Sequence, residues 1–104
     1  GPGTENLSYF KGVLIRSYPF AVNGTLLSYK NNFDKKSFEM TWKEDGNNPS
    51  STIIYVPNLS KISKVSKEEI LNLTIDKIVN SEAGWLMVPP LGNNSQRSID
   101  LQFN

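Results

Sequence analysis

The sequence predicts an all-β fold of about seven to eight short antiparallel strands. The clearest strand is Ser37–Glu44, in which Phe38, Met40 and Trp42 alternate with polar residues. This two-residue period is typical of a strand with one buried face. Turn-forming residues separate several other short apolar segments, and no segment shows a sustained helical period. Together these observations favour an antiparallel immunoglobulin-like β-sandwich.

The first part of the chain is organised around the stretch 16–25, which reads RSYPFAVNGT. A first strand is predicted at Gly12–Ser17, and Tyr18-Pro19 is predicted to form a kink at its end, because proline fixes φ and biases the residue before it. Asn23-Gly24 tolerates positive φ and allows the chain to reverse. The second strand is therefore expected at Thr25–Asn31.

The middle of the chain contains one strand that is apolar on both faces. This segment, Thr52–Val56, follows a loop at 45–51 and is predicted to be a central strand. Leu59–Lys67 is predicted to be a loop or an edge segment. Ser66–Glu69 resembles a helix capping box, but the alternation within Ile70–Ile75 favours a strand there.

Two further strands are predicted in the C-terminal part. Trp85–Val88 is a short apolar segment that follows a predicted turn at Asp76–Gly84 and ends at two prolines. After a loop at Leu91–Gln96, the segment Arg97–Phe103 alternates again. Its apolar side is formed by Ile99, Leu101 and Phe103.

The length of 104 residues is that of one domain. Residues 1–4 resemble a protease-cleavage scar from expression, so a single sandwich domain is predicted over residues 5–104. The net charge of +1 argues against a nucleic-acid partner, which would require a basic excess. No apolar run is long enough to predict a transmembrane segment.

The composition argues against catalysis, metal binding or a cofactor within this chain. It contains no histidine and no cysteine, which removes the commonest general base and the usual zinc ligands. Glycoside hydrolysis requires two carboxyl groups that flank one sugar. The acidic residues are scattered over predicted turns and outward strand faces and are expected to be solvated surface groups. No catalytic residue is therefore predicted.

Aromatic residues give the main indication of binding. Tyr18, Tyr55 and Trp85 are predicted to contact either a sugar or a neighbouring domain, because an aromatic ring combines an apolar face with a polar group. Trp42 shares the face of Phe38 and is expected to be core instead. A basic group at Lys61, Lys64 and Lys67 fits lysines that protect a sheet edge better than a phosphate site.

Three segments together resemble a known family. They are YPFAVNGTLLSY from Tyr18, FDKKSFEMTWK from Phe33 and STIIYVPN from Ser51. Four features occur here in order: an arginine before Tyr-Pro, an Ala-Val-x-Gly-Thr turn, an aromatic hairpin, and a strand that ends in Val-Pro. In this order they resemble the C-terminal domain of family 5 glycoside hydrolases of the endoglycoceramidase type. The resemblance covers roughly residues 16–58.

The resemblance implies a non-catalytic accessory sandwich that packs on a catalytic (β/α)8 barrel and stabilises it. The parent enzyme would hydrolyse the bond between oligosaccharide and ceramide in glycosphingolipids, and a secreted or endomembrane location would follow. The catalytic glutamates of that family belong to the barrel, so none is carried over to this chain. A carbohydrate-binding module that takes a glycan or glycolipid, and an immunoglobulin-like protein-interaction domain, are the alternatives.

Overall fold

The predicted all-β sandwich is confirmed by a computed structural model, which describes residues 16–66 and 73–104. The described residues form eight antiparallel strands and a single 3₁₀ turn at Leu59–Lys61. The strands are β1 Tyr18–Ala21, β2 Thr25–Asn32, β3 Ser37–Lys43, β4 Thr52–Val56, β5 Ile62–Ser66, β6 Thr74–Lys77, β7 Gly84–Val88 and β8 Gln96–Phe103.

The strands divide into two four-stranded sheets. The first sheet has the order β1-β4-β7-β6, and the second sheet has the order β2-β3-β8-β5. Most neighbours are therefore far apart in sequence, and β1 and β2 belong to different sheets although they are consecutive. As predicted, β4 is a central strand, and β5 lies at the edge of the second sheet.

The core lies between the two sheets and is formed by the inward side chains of the central strands. On β3, Phe38, Met40 and Trp42 are all fully buried, as their spacing predicts. The complete cluster of buried apolar residues is Phe38, Met40, Trp42, Ile54, Val56, Leu86, Val88, Ile99 and Leu101. Because these positions alternate along their strands, the side chains between them point outward and are available for other contacts.

The predicted kink at Tyr18-Pro19 is wrong, because both residues belong to strand β1. Pro19 is compatible with a strand here since β1 is an edge strand, where one row of backbone groups needs no ladder partner. The register shifts between Pro19 and Ala21, so the proline coincides with an irregularity in the pairing with β4. Of the predicted strand Gly12–Ser17, only its last two residues are described, and they precede β1.

The predicted turn at Asp76–Gly84 is shorter than expected. Asp76 and Lys77 remain in β6 and pair with Trp85 and Gly84 of β7. The turn is closed by a hydrogen bond of 3.0 Å from the Ile78 N–H to the Ala83 carbonyl.

Other predictions fall wholly or partly outside the described residues. They concern the scar at residues 1–4, Lys67, the capping-box sequence beyond Ser66, and the first three residues of Ile70–Ile75.

The Asn23-Gly24 step carries the chain from the first sheet to the second. Gly24 has φ +104, as the predicted chain reversal requires, and β2 begins directly after it. The buried Asn23 side chain donates hydrogen bonds of 2.9 and 2.8 Å to the carbonyls of Asn48 and Ser50. Its backbone N–H donates to the Thr52 hydroxyl at 3.0 Å. The connection between the sheets is therefore fixed to the loop before β4.

Candidate functional site

The three aromatic residues singled out from the sequence lie in one row across the first sheet. Tyr18 on β1 is paired with Tyr55 on β4, and Tyr55 is paired with Trp85 on β7. Their neighbours Ile54, Val56 and Leu86 are fully buried between the sheets. Because side chains alternate along a strand, the three aromatic rings stand on the outer surface of the sheet.

A fourth ring, that of Phe20, completes an aromatic cluster. Tyr18 and Tyr55 are stacked with centroids 4.8 Å apart, and Tyr55 meets Trp85 edge-on at 5.5 Å. The Phe20 ring lies 4.5 Å from that of Trp85. We refer to Tyr18, Phe20, Tyr55 and Trp85 as the aromatic face. Phe20 is not predicted from the sequence, because its contact with Trp85 depends on the pairing of β1 with β4 and of β4 with β7.

The aromatic face is partly open to solvent. Phe20 is 56% exposed and Tyr18 is 36% exposed, whereas Tyr55 and Trp85 are half-buried. The rings lie against one another, and Tyr18 and Tyr55 each use a ring face on their neighbour. The four rings therefore form one contiguous apolar patch on the outer surface of the first sheet.

A second notable group is a buried ion pair between Glu44 and Arg97. The two side chains are 0% and 3% exposed, and a guanidinium nitrogen lies 2.9 Å from the carboxylate. The same carboxylate accepts hydrogen bonds from the backbone N–H groups of Leu91, Gly92 and Asn93 at 2.9 to 3.3 Å. The guanidinium also donates to the Pro89 carbonyl at 2.8 Å. Glu44 thus fastens the loop between β7 and β8.

The environment of Glu44 determines its protonation. Burial alone would raise the pKa of this carboxyl group. The hydrogen bonds from the Leu91 amide, the Arg97 guanidinium and the Asn93 amide, with the positive charge of Arg97, outweigh burial and lower the pKa of Glu44. The carboxylate is therefore held ionised, which suits a structural anchor and not a proton donor.

The expectation that all acidic residues are solvated surface groups is wrong for Glu44. Its position is in phase with Phe38, Met40 and Trp42, so it continues the inward face of β3. Arg97 is likewise in phase with the buried Ile99 on β8. An arginine and a glutamate on inward positions of two strands predict a buried pair, since neither charge is tolerated in a core alone.

Two other acidic residues come close together without forming a catalytic arrangement. Glu39 on β3 and Asp100 on β8 are paired neighbours on the outer side of the second sheet. They line a shallow depression of about 370 Å³ together with Lys30 of β2. Both carboxylates stand on the same open sheet surface, so they cannot flank a sugar from opposite sides as glycoside hydrolysis requires.

Within residues 16–66 and 73–104, no group of three acidic, histidine or cysteine side chains could hold a metal ion. None of the helical structure described has the length and apolar character that crossing a membrane requires.

The described residues thus form an eight-stranded sandwich that has an aromatic cluster on its outer surface and an acid held in a structural ion pair. Residues 16–98 match the family model of the glycoside hydrolase family 5 C-terminal domain, and the chain belongs to this family. Domains of this family form the non-catalytic part of a glycoside hydrolase. No curated protein and no solved structure matches the chain.

Proposed function

We propose that this domain packs through its aromatic face on the catalytic (β/α)8 barrel of its parent hydrolase and stabilises that barrel. The observation that supports this most is the position of the face. The family match begins at Arg16, two residues before Tyr18, the first residue of the aromatic face. A C-terminal domain receives its chain from the domain before it, and a domain attached just before Arg16 would lie within reach of this surface.

The chemistry of the aromatic face fits a protein partner. Aromatic residues are enriched at the centre of protein interfaces because they bury a large apolar area at little entropic cost. Fully burying an exposed phenylalanine contributes about 1.5–3 kcal/mol, and Phe20, which is 56% exposed, can gain roughly half of that; the half-buried rings beside it provide a preformed surface. Tyrosine hydroxyls and the indole N–H of Trp85 can donate hydrogen bonds at the rim of such a contact.

A charge placed on the aromatic face tests this contact. In the full-length hydrolase, Phe20→Asp is expected to uncouple the two domains and to lower the melting temperature of the barrel, because the contact would have to bury a carboxylate. Calorimetry would then show two unfolding transitions. The matched control is Leu27→Asp, since Leu27 is 51% exposed but lies on β2 of the second sheet. It should leave the domains coupled.

The same variants distinguish the alternatives. Unchanged unfolding of the full-length Phe20→Asp protein would contradict the docking role. If the 104-residue chain instead bound neutral oligosaccharides and lost them with Phe20→Asp, the face would be a sugar platform. A protein partner other than the barrel, captured by the same surface, would favour an interaction domain.

We further propose that the parent is of the endoglycoceramidase type. The support is the ordered set of motifs between Arg16 and Pro57, and two of these residues are in contact. The Arg16 guanidinium lies over the Phe33 ring at 5.0 Å from its centroid, which joins the start of the domain to the β2–β3 turn.

A hydrolysis assay tests this specificity. The full-length protein is expected to release intact oligosaccharide from a fluorescent glycosphingolipid, whereas the 104-residue chain should release none, because the barrel carries the catalytic carboxylates. Cleavage of glucans with no action on the glycolipid would reject the endoglycoceramidase assignment. It would leave the accessory role untouched.

A further inference from the structure

A concave site at one end of the sandwich is not used by the docking role proposed above. It is a cleft of about 540 Å³, formed where the chain enters β1, where β2 turns into β3, and where β8 ends. This volume lies within the range of small-ligand sites. Its lining residues are Ser17, Asn31, Asn32, Phe33, Lys36, Ser37, Pro57, Asn58, Lys61, Glu82, Phe103 and Asn104.

One wall of the cleft is the β2–β3 turn, which is firmly hydrogen-bonded. The Asn32 side chain accepts from the Lys35 N–H at 3.0 Å, and the Phe33 carbonyl accepts from the Lys36 N–H at 3.3 Å. The Lys36 carbonyl in turn accepts from the Phe103 N–H of β8 at 2.8 Å. These hydrogen bonds fix the backbone of Phe33 and Lys36, so the Cα–Cβ bonds of both residues have defined directions.

A second wall is formed by the 3₁₀ turn after β4. The Asn58 side chain accepts from the Ser60 N–H at 3.2 Å and caps this turn. The Lys61 carbonyl accepts from the Asn104 N–H at 2.8 Å, which joins the turn to the residue after β8. Lys61 lines the cleft, whereas Lys64 belongs to the edge strand β5 and is not among the lining residues.

The charges of the cleft are unbalanced. Lys36 and Lys61 supply two ammonium groups, and in the described ranges of the chain neither forms an ion pair. Glu82 is the one acidic side chain among the lining residues, and it accepts a hydrogen bond from Asn58 at 3.1 Å. In the 104-residue chain the terminal carboxylate of Asn104 is a second negative charge in the lining, so the positive excess comes from Arg16. The Arg16 guanidinium over Phe33 adds a positive charge beside the site. An anionic group is therefore favoured here.

We propose that this cleft binds an acidic saccharide, that is, a sugar that carries a carboxylate. The ring of Phe33, which is 60% exposed, and that of Phe103 offer apolar surface to the C–H groups of a sugar ring. The Asn31 Oδ1 and the Asn32 Nδ2 can bind hydroxyls, since the printed hydrogen bonds of these two side chains use the other atom of each amide. The two ammonium groups pair with the carboxylate. A simple inorganic anion would use the lysines but would leave the rings and amides without a role.

The test titrates the 104-residue chain with sialyllactose, lactose and inorganic phosphate, and follows backbone amide resonances by NMR. Sialyllactose is expected to shift the signals of residues 31–36 and 58–61. Lactose, which lacks the carboxylate, should bind with an affinity lower by a factor of at least about ten, because charge-assisted hydrogen bonds provide much of the binding energy. Phosphate should shift these signals only at far higher concentration.

Variants of the two cleft lysines test whether the ligand binds in the cleft. The double variant Lys36→Gln with Lys61→Gln is expected to lose sialyllactose affinity by about tenfold or more. The control is Lys30→Gln with Lys43→Gln, which removes two exposed lysines from β2 and β3 outside the cleft and should bind normally. Unfolding curves confirm that both variants are folded.

Three results would overturn the proposal: no shift with sialyllactose, equal affinity for lactose, or equal affinity for phosphate. Failure of this test leaves the docking role intact, because the aromatic face and the cleft share no residue.

Discussion

Glu44→Ala is expected to destabilise the domain by about 3–5 kcal/mol, the range for removing one partner of a buried ion pair. The substitution would leave the Arg97 guanidinium buried without its carboxylate, and it would remove the acceptor for the backbone N–H groups of Leu91, Gly92 and Asn93. The loop between β7 and β8 would lose its anchor at the same time. Chemical denaturation of the 104-residue chain measures the loss.

A double-mutant cycle separates the pair from its surroundings. Glu44→Leu combined with Arg97→Met removes both charges and is expected to recover part of the stability lost by Glu44→Leu alone, because no unpaired charge remains. The recovery should be incomplete, since the Pro89 carbonyl and the loop amides still lack partners. A loss below about 1 kcal/mol for Glu44→Ala would show that the pair is not an anchor.

The lowered pKa of Glu44 also gives a pH dependence. A carboxyl group whose folded pKa lies below its unfolded value stabilises the fold fully above the unfolded value, near 4.5 for glutamate. This stabilisation is lost as the pH falls through the lowered folded pKa. The difference in stability between the natural chain and Glu44→Gln should therefore shrink on acidification from neutral pH. A difference that stays constant would mean that Glu44 is not ionised in the fold.

Gly24→Ala is expected to be the other severe single substitution, with a loss of about 3 kcal/mol or more. A positive φ costs a non-glycine residue about 1–3 kcal/mol, and Gly24 has φ +104. A Cβ at this position would also meet the Lys43 carbonyl oxygen at 2.0 Å and the Asp45 nitrogen at 2.8 Å. Both are backbone atoms and cannot rotate away, so the connection between the two sheets would have to move.

Gly92→Ala provides the matched control for this substitution. Gly92 also has positive φ, at +79, but a Cβ there would meet no atom within 4 Å. The stability lost by Gly92→Ala therefore reports the conformational cost alone, which is about 1 kcal/mol, the low end of the range. The excess measured for Gly24→Ala is the cost of the close approach. Equal unfolding midpoints in urea for the two variants would show that the approach between Gly24 and Lys43 does not constrain the fold.

The strands of this domain that face the core are well predicted by their residue pattern. β3, β4, β7 and β8 carry alternating or dense apolar residues, because each has to bury one or both faces. The edge strands are harder to predict, because an edge strand buries less apolar surface and can contain a proline. The sequence therefore predicts a kink at Pro19, which lies in β1, and a turn that overlaps the end of β6.

The candidate site was predictable only in part. The aromatic character of Tyr18, Tyr55 and Trp85 predicts contacts with a sugar or a neighbouring domain, and the pairing of β1, β4 and β7 brings the three into one row. Their contact depends on strand order, which local sequence does not specify. The Glu44–Arg97 pair was visible in the phase of its strands, but the general preference of charged residues for the surface concealed it.

The order of the strands has a consequence for how the domain is made on the ribosome. β3 can complete its pairing in the sheet only after β8 has been synthesised. The hydroxyls of Thr41 and Ser98, which form a hydrogen bond across this pairing, are 57 residues apart in the chain. Such long-range pairing slows folding and leaves nascent apolar strands uncovered until β8 has been synthesised. The first sheet is less exposed to this delay at its β6–β7 pairing, which joins consecutive strands, so the two sheets are expected to form at different stages.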